Sequence, residues 1–236
     1  GVFGGLASEM NKGYYDVALM DDLNNDNLPD MVVSSVFGGG LKAQLFRNTS
    51  SGGTASFVFE QTLYINQHIY YKGIANDMDG DGYKDLLLGS PIRTYRNTTS
   101  SIGGPLSFVA VPSTLNILGG YYMLANLNGD LDALGKPKLD VVVTADNSGY
   151  GKNYVILNTS TPGTMDLTTY NTSPFLSPRA GTAPVVADFN ADGAPDIVIQ
   201  GSELSGSFNI GNTKVWRNTM PDSATVSFTN DPGADL

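Results

Sequence analysis

Apolar residues in this chain come in short runs of four to seven, and the runs recur in a fixed order. "DVALMD" (16–21) leads into the polar stretch "DLNNDNLPD", and "MVVSS" (31–35) follows at once. The same passage from apolar to acidic to apolar recurs three times. "KGIAND" (72–77) precedes "LLLGS" (86–90), "YYMLAN" (121–126) precedes "VVVTA" (141–145), and "APVVAD" (183–188) precedes "IVIQGS" (197–202). A third run then carries an Asn-Thr element: "LFRNTSS" (45–51), "TYRNTTS" (94–100), "VILNTST" (155–161) and "VWRNTMP" (215–221). A fourth carries Phe57, Phe108, Leu167 or Phe228. Runs of this length, rich in Val, Ile, Phe and Tyr and broken by Gly, Asn, Asp and Ser, predict strands. No segment sustains a helical period. Four repeats of about 50–60 residues with four strands each predict an all-β chain of β-propeller blades. The units fall near 14–60, 70–111, 121–170 and 182–229 of a single domain, or propeller section, spanning 1–236.

The polar stretch between the first two strands has its own order. In "DMDGDGYKDLLLGS", with Asp77 as position 1, carboxylates stand at 1, 3, 5 and 9 (Asp77, Asp79, Asp81, Asp85), and Gly82 stands at 6. A hard cation such as Ca²⁺ takes six to eight oxygens at about 2.3–2.6 Å, and a tight loop can point positions 1, 3 and 5 inward together. The carbonyl of Tyr83 at position 7 adds an oxygen, and Asp85 closes the shell. An EF-hand would need a bidentate Glu at position 12. That position is Leu88 here, and Val33 and Ile199 in two other copies, all within apolar strand runs. The loop therefore joins two strands.

The other copies fit unequally. Asp188, Asn190, Asp192, Ala194 (by its carbonyl) and Asp196 reproduce the pattern with Gly193 at 6. Asp22, Asn24, Asp26, Leu28 (by its carbonyl) and Asp30 do so with Asn27 at 6, a residue that tolerates the left-handed conformation. The third copy has Asn126, Asn128 and Asp130, then six extra residues before Asp140, with Asp132 a possible substitute. That copy is expected to be weaker or empty. Asp and Asn favour turns in any protein; four copies of one 1-3-5-9 order ask for more than that. The expectation is three or four Ca²⁺ ions, structural in role because complete shells leave no position open for a substrate.

Charge supports this reading. The net charge is −10, from 13 basic and 23 acidic residues. Twelve of those acids lie at the loop positions, so the acidity of the chain is largely that of its loops. An acidic chain repels phosphate backbones, which argues against nucleic acid as a partner. No apolar run is long enough for a membrane helix. At 41% hydrophobic and 15% charged the chain can bury a core. Without cysteine, thiolate metal sites, disulfides and thiol chemistry are excluded. His68 is the only histidine, and no nucleophile elbow, P-loop, dinucleotide fingerprint or HExxH is present, so no catalytic constellation is legible.

The combined motif, an acidic DxDxDGxxD loop before an apolar strand and then Arg-Asn-Thr, resembles the FG-GAP/VCBS repeats, the blades of integrin-α-like β-propellers. The resemblance covers about residues 14–228. It implies four-stranded blades, Ca²⁺ in the loop between the first two strands, and an extracellular or cell-surface role in adhesion or carbohydrate binding. Such propellers usually have about seven blades. Four repeats make this chain a section of a larger ring, a four-bladed propeller, or half of a ring closed by another chain. Self-association and the remaining blades of a longer parent chain are thus candidate partners beside a protein or glycan ligand.

A ligand surface is expected at the far end of the first strands, where tyrosines pair: Tyr14 with Tyr15, Tyr70 with Tyr71, Tyr121 with Tyr122. The connections between second and third strands reach the same side and are rich in Gly and Ser, at 36–44, 147–153 and 203–214, with a short one at 91–93. An enzyme or its accessory domain and a plain spacer are the competing functions; the low charge of these loops favours binding. The Arg-Asn-Thr element (Arg47, Arg96 and Arg217, with Leu157 in the third copy) reads as structural, and Phe46, Tyr95 and Trp216 as packing within blades. Asn48, Asn97, Asn158 and Asn171 form N-x-S/T sequons, three of them by coincidence with the repeat motif.

Overall fold

The computed structural model describes residues 15–35, 41–65, 73–89, 91–112, 121–144, 153–170, 179–180, 183–205, 208–219 and 226–230. Every regular element among them is a β-strand, and none of them forms a helix long and apolar enough to cross a membrane. The strands form four antiparallel sheets. The first runs β1 (Tyr15–Asp21), β2 (Asp30–Ser35), β3 (Leu41–Asn48) and β4 (Phe57–Ile65). The second runs β5 (Ile74–Asn76), β6 (Asp85–Leu88), β7 (Arg93–Asn97) and β8 (Phe108–Ala110). The third runs β9 (Tyr121–Ala125), β10 (Asp140–Thr144), β11 (Tyr154–Asn158) and β12 (Leu167–Tyr170).

In the fourth sheet the first strand is in two pieces. β13 (Arg179–Ala180) and β14 (Val185–Ala187) both pair with β15 (Asp196–Ser205), followed by β16 (Phe208–Asn218) and β17 (Phe228–Asn230). Strands thus neighbour each other in chain order, the meander expected of four-stranded repeats. Each third strand ends on the repeated asparagine. Each fourth strand begins at Phe57, Phe108, Leu167 or Phe228.

The second strands explain why their sequences lack alternation. All of Asp85–Leu88 and all of Asp140–Thr144 are buried, so both faces of these strands are packed and both must be apolar. The chain divides into two compact units, residues 1–77 with 81–117, and residues 78–80 with 118–236. The first is centred on Leu23, Val32, Leu45, Leu86, Leu88, Leu106 and Phe108; Tyr95 joins this core, and Phe46 packs with Met31 and Val33. The second is centred on Leu127, Val142, Val155, Ile197, Ile199, Trp216, Val226 and Phe228. First strands touch within each unit, β1 with β5 and β9 with β14.

Two expected loops are shorter than the sequence suggests. Residues 41–44 of the 36–44 stretch belong to β3. Most of 203–214 extends the β15–β16 hairpin, with Glu203 opposite Ile210 and Ser205 opposite Phe208. Phe208 and Ile210 are two apart and favour strand, and that preference outweighs the Gly and Ser around them.

Candidate metal loops

Each acidic stretch joins a first strand to a second. Its conformation is set by its own carboxylates. In the loop 77–85, Asp81 N–H donates to Asp77 Oδ1 at 3.1 Å and Gly82 N–H to Asp77 Oδ2 at 3.0 Å. The loop 22–30 repeats this, with Asp26 and Asn27 donating to the two oxygens of Asp22 at 3.2 and 2.8 Å. The loop 188–196 repeats it again, with Asp192 and Gly193 donating to Asp188 at 3.2 and 2.9 Å. Position 5 then takes the N–H of position 7: Leu28 on Asp26, Tyr83 on Asp81, Ala194 on Asp192, at 2.8–2.9 Å.

The turn requires left-handed residues at positions 4 and 6. Position 6 is Asn27, Gly82 or Gly193, with φ of 67°, 93° and 92°. Asn27 takes the conformation expected of it. Position 4 is left-handed too, at Asn25, Gly80, Gly129 and Ala191. Ala191, at φ 60°, bears the steric cost of its Cβ.

Position 9 is the most buried part of the design. Asp30, Asp85 and Asp140 are fully inaccessible, and Asp196 nearly so. One oxygen accepts the N–H of position 2: Leu23 on Asp30, Leu127 on Asp140, Phe189 on Asp196, at 2.8–3.1 Å. The other accepts the N–H of the third-strand asparagine: Asn48, Asn97, Asn158 or Asn218, at 2.8–2.9 Å. Burial pushes Asp30 and Asp140 up to about 6, against the opposing pull of these N–H donors. Exposed Asp192 moves the other way, held low by the Ala194 N–H and the Asn190 side chain.

The asparagine does more than cap a strand end. Its Nδ2 reaches the position-8 carbonyl of its own loop, at Pro29, Lys84 or Leu139. In three repeats it also reaches the position-2 carbonyl of another loop: Asn97 to Leu23 at 2.8 Å, Asn158 to Met78 at 2.9 Å, Asn218 to Leu127 at 2.8 Å. Sequence reasoning put the structural role of this element on the arginines. Arg47 does pair with Glu60 at 2.6 Å, and Arg96 comes within 3.9 Å of Asp81. All four copies retain the asparagine, with the threonine after it, whereas the arginine is lost at Leu157, and that is the signal available in the sequence. The burial of Asn48, Asn97 and Asn158 leaves their amides no room for a glycan, so three of the four sequons are by-products of the repeat; Asn171 lies outside the described residues.

Among the described residues, one group of three carboxylates converges as a metal site would require. Ligand oxygens of Asp77, Asp79 and Asp85 lie within 4.8 Å of one another, with Asp79 and Asp85 buried. Three negative charges that close, two out of water, call for a cation, and an all-oxygen donor set fits Ca²⁺ rather than a softer metal. Asn24 and Asn190 replace the position-3 carboxylate in the first and fourth loops and leave three carboxylates each.

The loop 126–140 differs. Asn126 turns its amide the other way, donating Nδ2 to the Asp130 carbonyl at 2.7 Å. Lys138 sets its ammonium 3.5 Å from Asp130 Oδ2. Asn126 Oδ1 and Asp130 Oδ1 are buried with no hydrogen-bond donor. Asp132 closes the inserted turn: its Oδ1 accepts the N–H groups of Leu134 and Lys136, both at 2.8 Å.

The candidate ligand surface is described only in part. Tyr14, Tyr70, Tyr71 and His68 lie outside the described residues. Tyr15 pairs with Ser35 and Tyr121 with Thr144, at the ends of their strands remote from the acidic loops. Tyr121 and Tyr122 are half-buried and, being adjacent in β9, face opposite sides of the sheet.

Comparison with known proteins agrees with this construction. Residues 22–88 and 130–199 match the FG-GAP-like repeat, each segment containing an acidic loop and the strand after it. A stretch of 77 residues is 38% identical to human integrin alpha-7; it is 31% of this chain and 6% of that protein. With more than half of its length matched, the chain belongs to the FG-GAP-like repeat family.

Proposed function

We propose that this chain is a calcium-stabilised β-propeller, or a section of one, that works outside the cell or on its surface and presents a recognition face to a protein or glycan. The observation that carries the reading is the convergence of Asp77, Asp79 and Asp85 in a loop whose hydrogen bonds recur around Asp22 and Asp188. In this reading three loops hold Ca²⁺ through positions 1, 3, 5 and 9 and the carbonyls of Leu28, Tyr83 and Ala194. The ion ties the first strand to the second, and the buried position-9 aspartate carries that restraint to the third. The loop 126–140 holds Ca²⁺ weakly, because Lys138 competes for Asp130. The similarity to a human integrin alpha chain supports the surface location. The far ends of the first strands, with Tyr14, Tyr15, Tyr70, Tyr71, Tyr121 and Tyr122, are the proposed recognition face.

Calorimetric titration of the EDTA-stripped chain with Ca²⁺ tests the metal reading. Three tight sites per chain are expected, and no binding would overturn it. Screening the calcium-loaded chain on a glycan array and by protein pulldown tests recognition. A hit lost on Tyr121→Ala with Tyr122→Ala supports the face, and a hit unaffected by them moves it elsewhere.

A further inference from the structure

The first two acidic loops are joined as well as alike. Asp30, the position-9 carboxylate of the loop 22–30, accepts the Leu23 N–H at 3.0 Å. The carbonyl of Leu23 accepts Nδ2 of Asn97 at 2.8 Å. Asn97 in turn donates its backbone N–H to Asp85, the position-9 carboxylate of the loop 77–85, at 2.8 Å. An unbroken chain of hydrogen bonds thus runs from the last carboxylate of one loop to the last carboxylate of the next. Asp30, Leu23 and Asp85 are 0% exposed and Asn97 1%, so a link that opens leaves a buried donor or acceptor without water.

Two more bonds fix the first loop from the second repeat. Asn25, left-handed at position 4, donates Nδ2 at 2.9 Å to the carbonyl of Gly82, the left-handed position 6 of the second loop. Asn24, at position 3, donates Nδ2 to the Gly104 carbonyl at 3.2 Å. That leaves its Oδ1 turned towards its own loop, 3.3 Å from the Asp26 nitrogen. All of these residues lie in the first compact unit. The second unit builds the same chain for itself, from Asp140 through Leu127 and Asn218 to Asp196.

Each loop has two states. Filled, its carboxylates converge on the ion. Empty, three of them in the first loop and four in the second repel one another, and the loop loosens. Loosening of the second loop moves the Lys84 and Gly82 carbonyls, and these are the groups that orient the Asn97 and Asn25 amides. The first loop must then be ordered by its own ion alone. Each filled loop stays anionic, so a second ion meets no net positive field from the first. We propose that Asn97 is a positioning residue through which the loops 22–30 and 77–85 take up Ca²⁺ cooperatively, an ion in either loop raising the affinity of the other. The proposal rests on the calcium reading of these loops and adds their mutual regulation to it.

A Ca²⁺ titration of the full chain followed by ¹⁵N–¹H NMR tests it, at a temperature where the EDTA-treated chain is still folded. The Asn27 N–H, held by Asp22, reports the first loop, and the Gly82 N–H, held by Asp77, reports the second. Asp77→Ala should raise the half-saturating Ca²⁺ at Asn27 about 5-fold or more, and Asp22→Ala should raise that at Gly82 by the same factor, since coupling is reciprocal. In an Asn97→Ala background both factors should fall below about twofold. Leu63→Ala removes core volume from the same unit but no bond of the chain, and should leave the factors as they are. Asn25→Gly keeps the left-handed turn, removes the second link and should lower both factors; it carries the test if Asn97→Ala does not fold. Independent filling of the two loops, unequal factors in the two directions, or factors untouched by Asn97→Ala (or by Asn25→Gly in its place) would overturn the cooperativity and leave the calcium sites standing. No response to Ca²⁺ at either reporter would overturn the calcium reading and the cooperativity with it.

Discussion

Replacing Asn97 by alanine removes three side-chain hydrogen bonds from a site with 1% exposure. Nδ2 gives up the Leu23 carbonyl at 2.8 Å and the Lys84 carbonyl at 2.9 Å, and Oδ1 gives up the Thr99 N–H at 2.9 Å. Each bond is worth about 1 kcal/mol net, so the expected loss is about 3 kcal/mol, more where the stranded carbonyls find no water. The backbone bond from Asn97 N–H to Asp85 survives the substitution, so the acidic loop keeps its anchor and calcium stoichiometry should not change. Asn48→Ala is the matched control. It removes two bonds, to the Pro29 carbonyl and from the Ser50 N–H, and should cost about 2 kcal/mol in dilute solution. The difference between the two variants isolates the bond that reaches a second loop. Asn97→Asp keeps the acceptor for Thr99 but sets a carboxylate against two carbonyls and Asp85, and should be no better than alanine. Urea unfolding followed by tryptophan fluorescence and circular dichroism gives all three values. An Asn97→Ala cost below about 1 kcal/mol, or one no larger than that of Asn48→Ala, would refute the clasp.

Other outcomes follow from the loops. Lys138→Met should raise the number of bound Ca²⁺ per chain from three to four in a calorimetric titration, because it removes the ammonium competing for Asp130. Ala191→Gly should stabilise the protein by about 1 kcal/mol in the same urea assay by relieving a left-handed alanine. Asp30 and Asp140, raised to about 6 by burial, hold a proton more tightly in the fold than in the unfolded chain, where the value is 3.8. Their contribution is therefore fully present below the unfolded value and lost as the pH rises through about 6. In EDTA, lowering the pH from about 7 to about 5 should raise the melting temperature. With Ca²⁺ present the same change should lower it, because protons then displace the ions.

Much of this was legible in the sequence because it is local. Strand runs, the 1-3-5-9 order and the left-handed Asn27 depend on neighbours a few residues away, and they sit where the pattern puts them. The four-stranded meander followed from repetition of the same passage. What the sequence hid is what depends on distant partners. Asp30, Asp140 and Asp196 read as the last ligand of a shell, yet each also ties two backbone N–H groups, one from its own loop and one from the third strand. Asn97 reads as one letter of a strand motif, but its amide spans to Leu23, 74 residues away. Lys138 sits in an insertion that looked like a spacing error; only the fold brings its ammonium to Asp130. The extension of β15 and β16 through 203–214 is hidden because Gly and Ser surround Phe208 and Ile210, whose strand preference prevails only once the two strands pair.

Melting the calcium-loaded chain and the same chain in excess EDTA, side by side, tests most directly whether the acidic loops hold the fold together. Three sites each saturated about a hundredfold above their dissociation constants would stabilise the fold by up to about 8 kcal/mol, so a fall of many degrees on chelation is expected, reversed by Ca²⁺ and lost stepwise in Asp77→Ala and Asp188→Ala. Identical melting curves with and without EDTA would contradict the account.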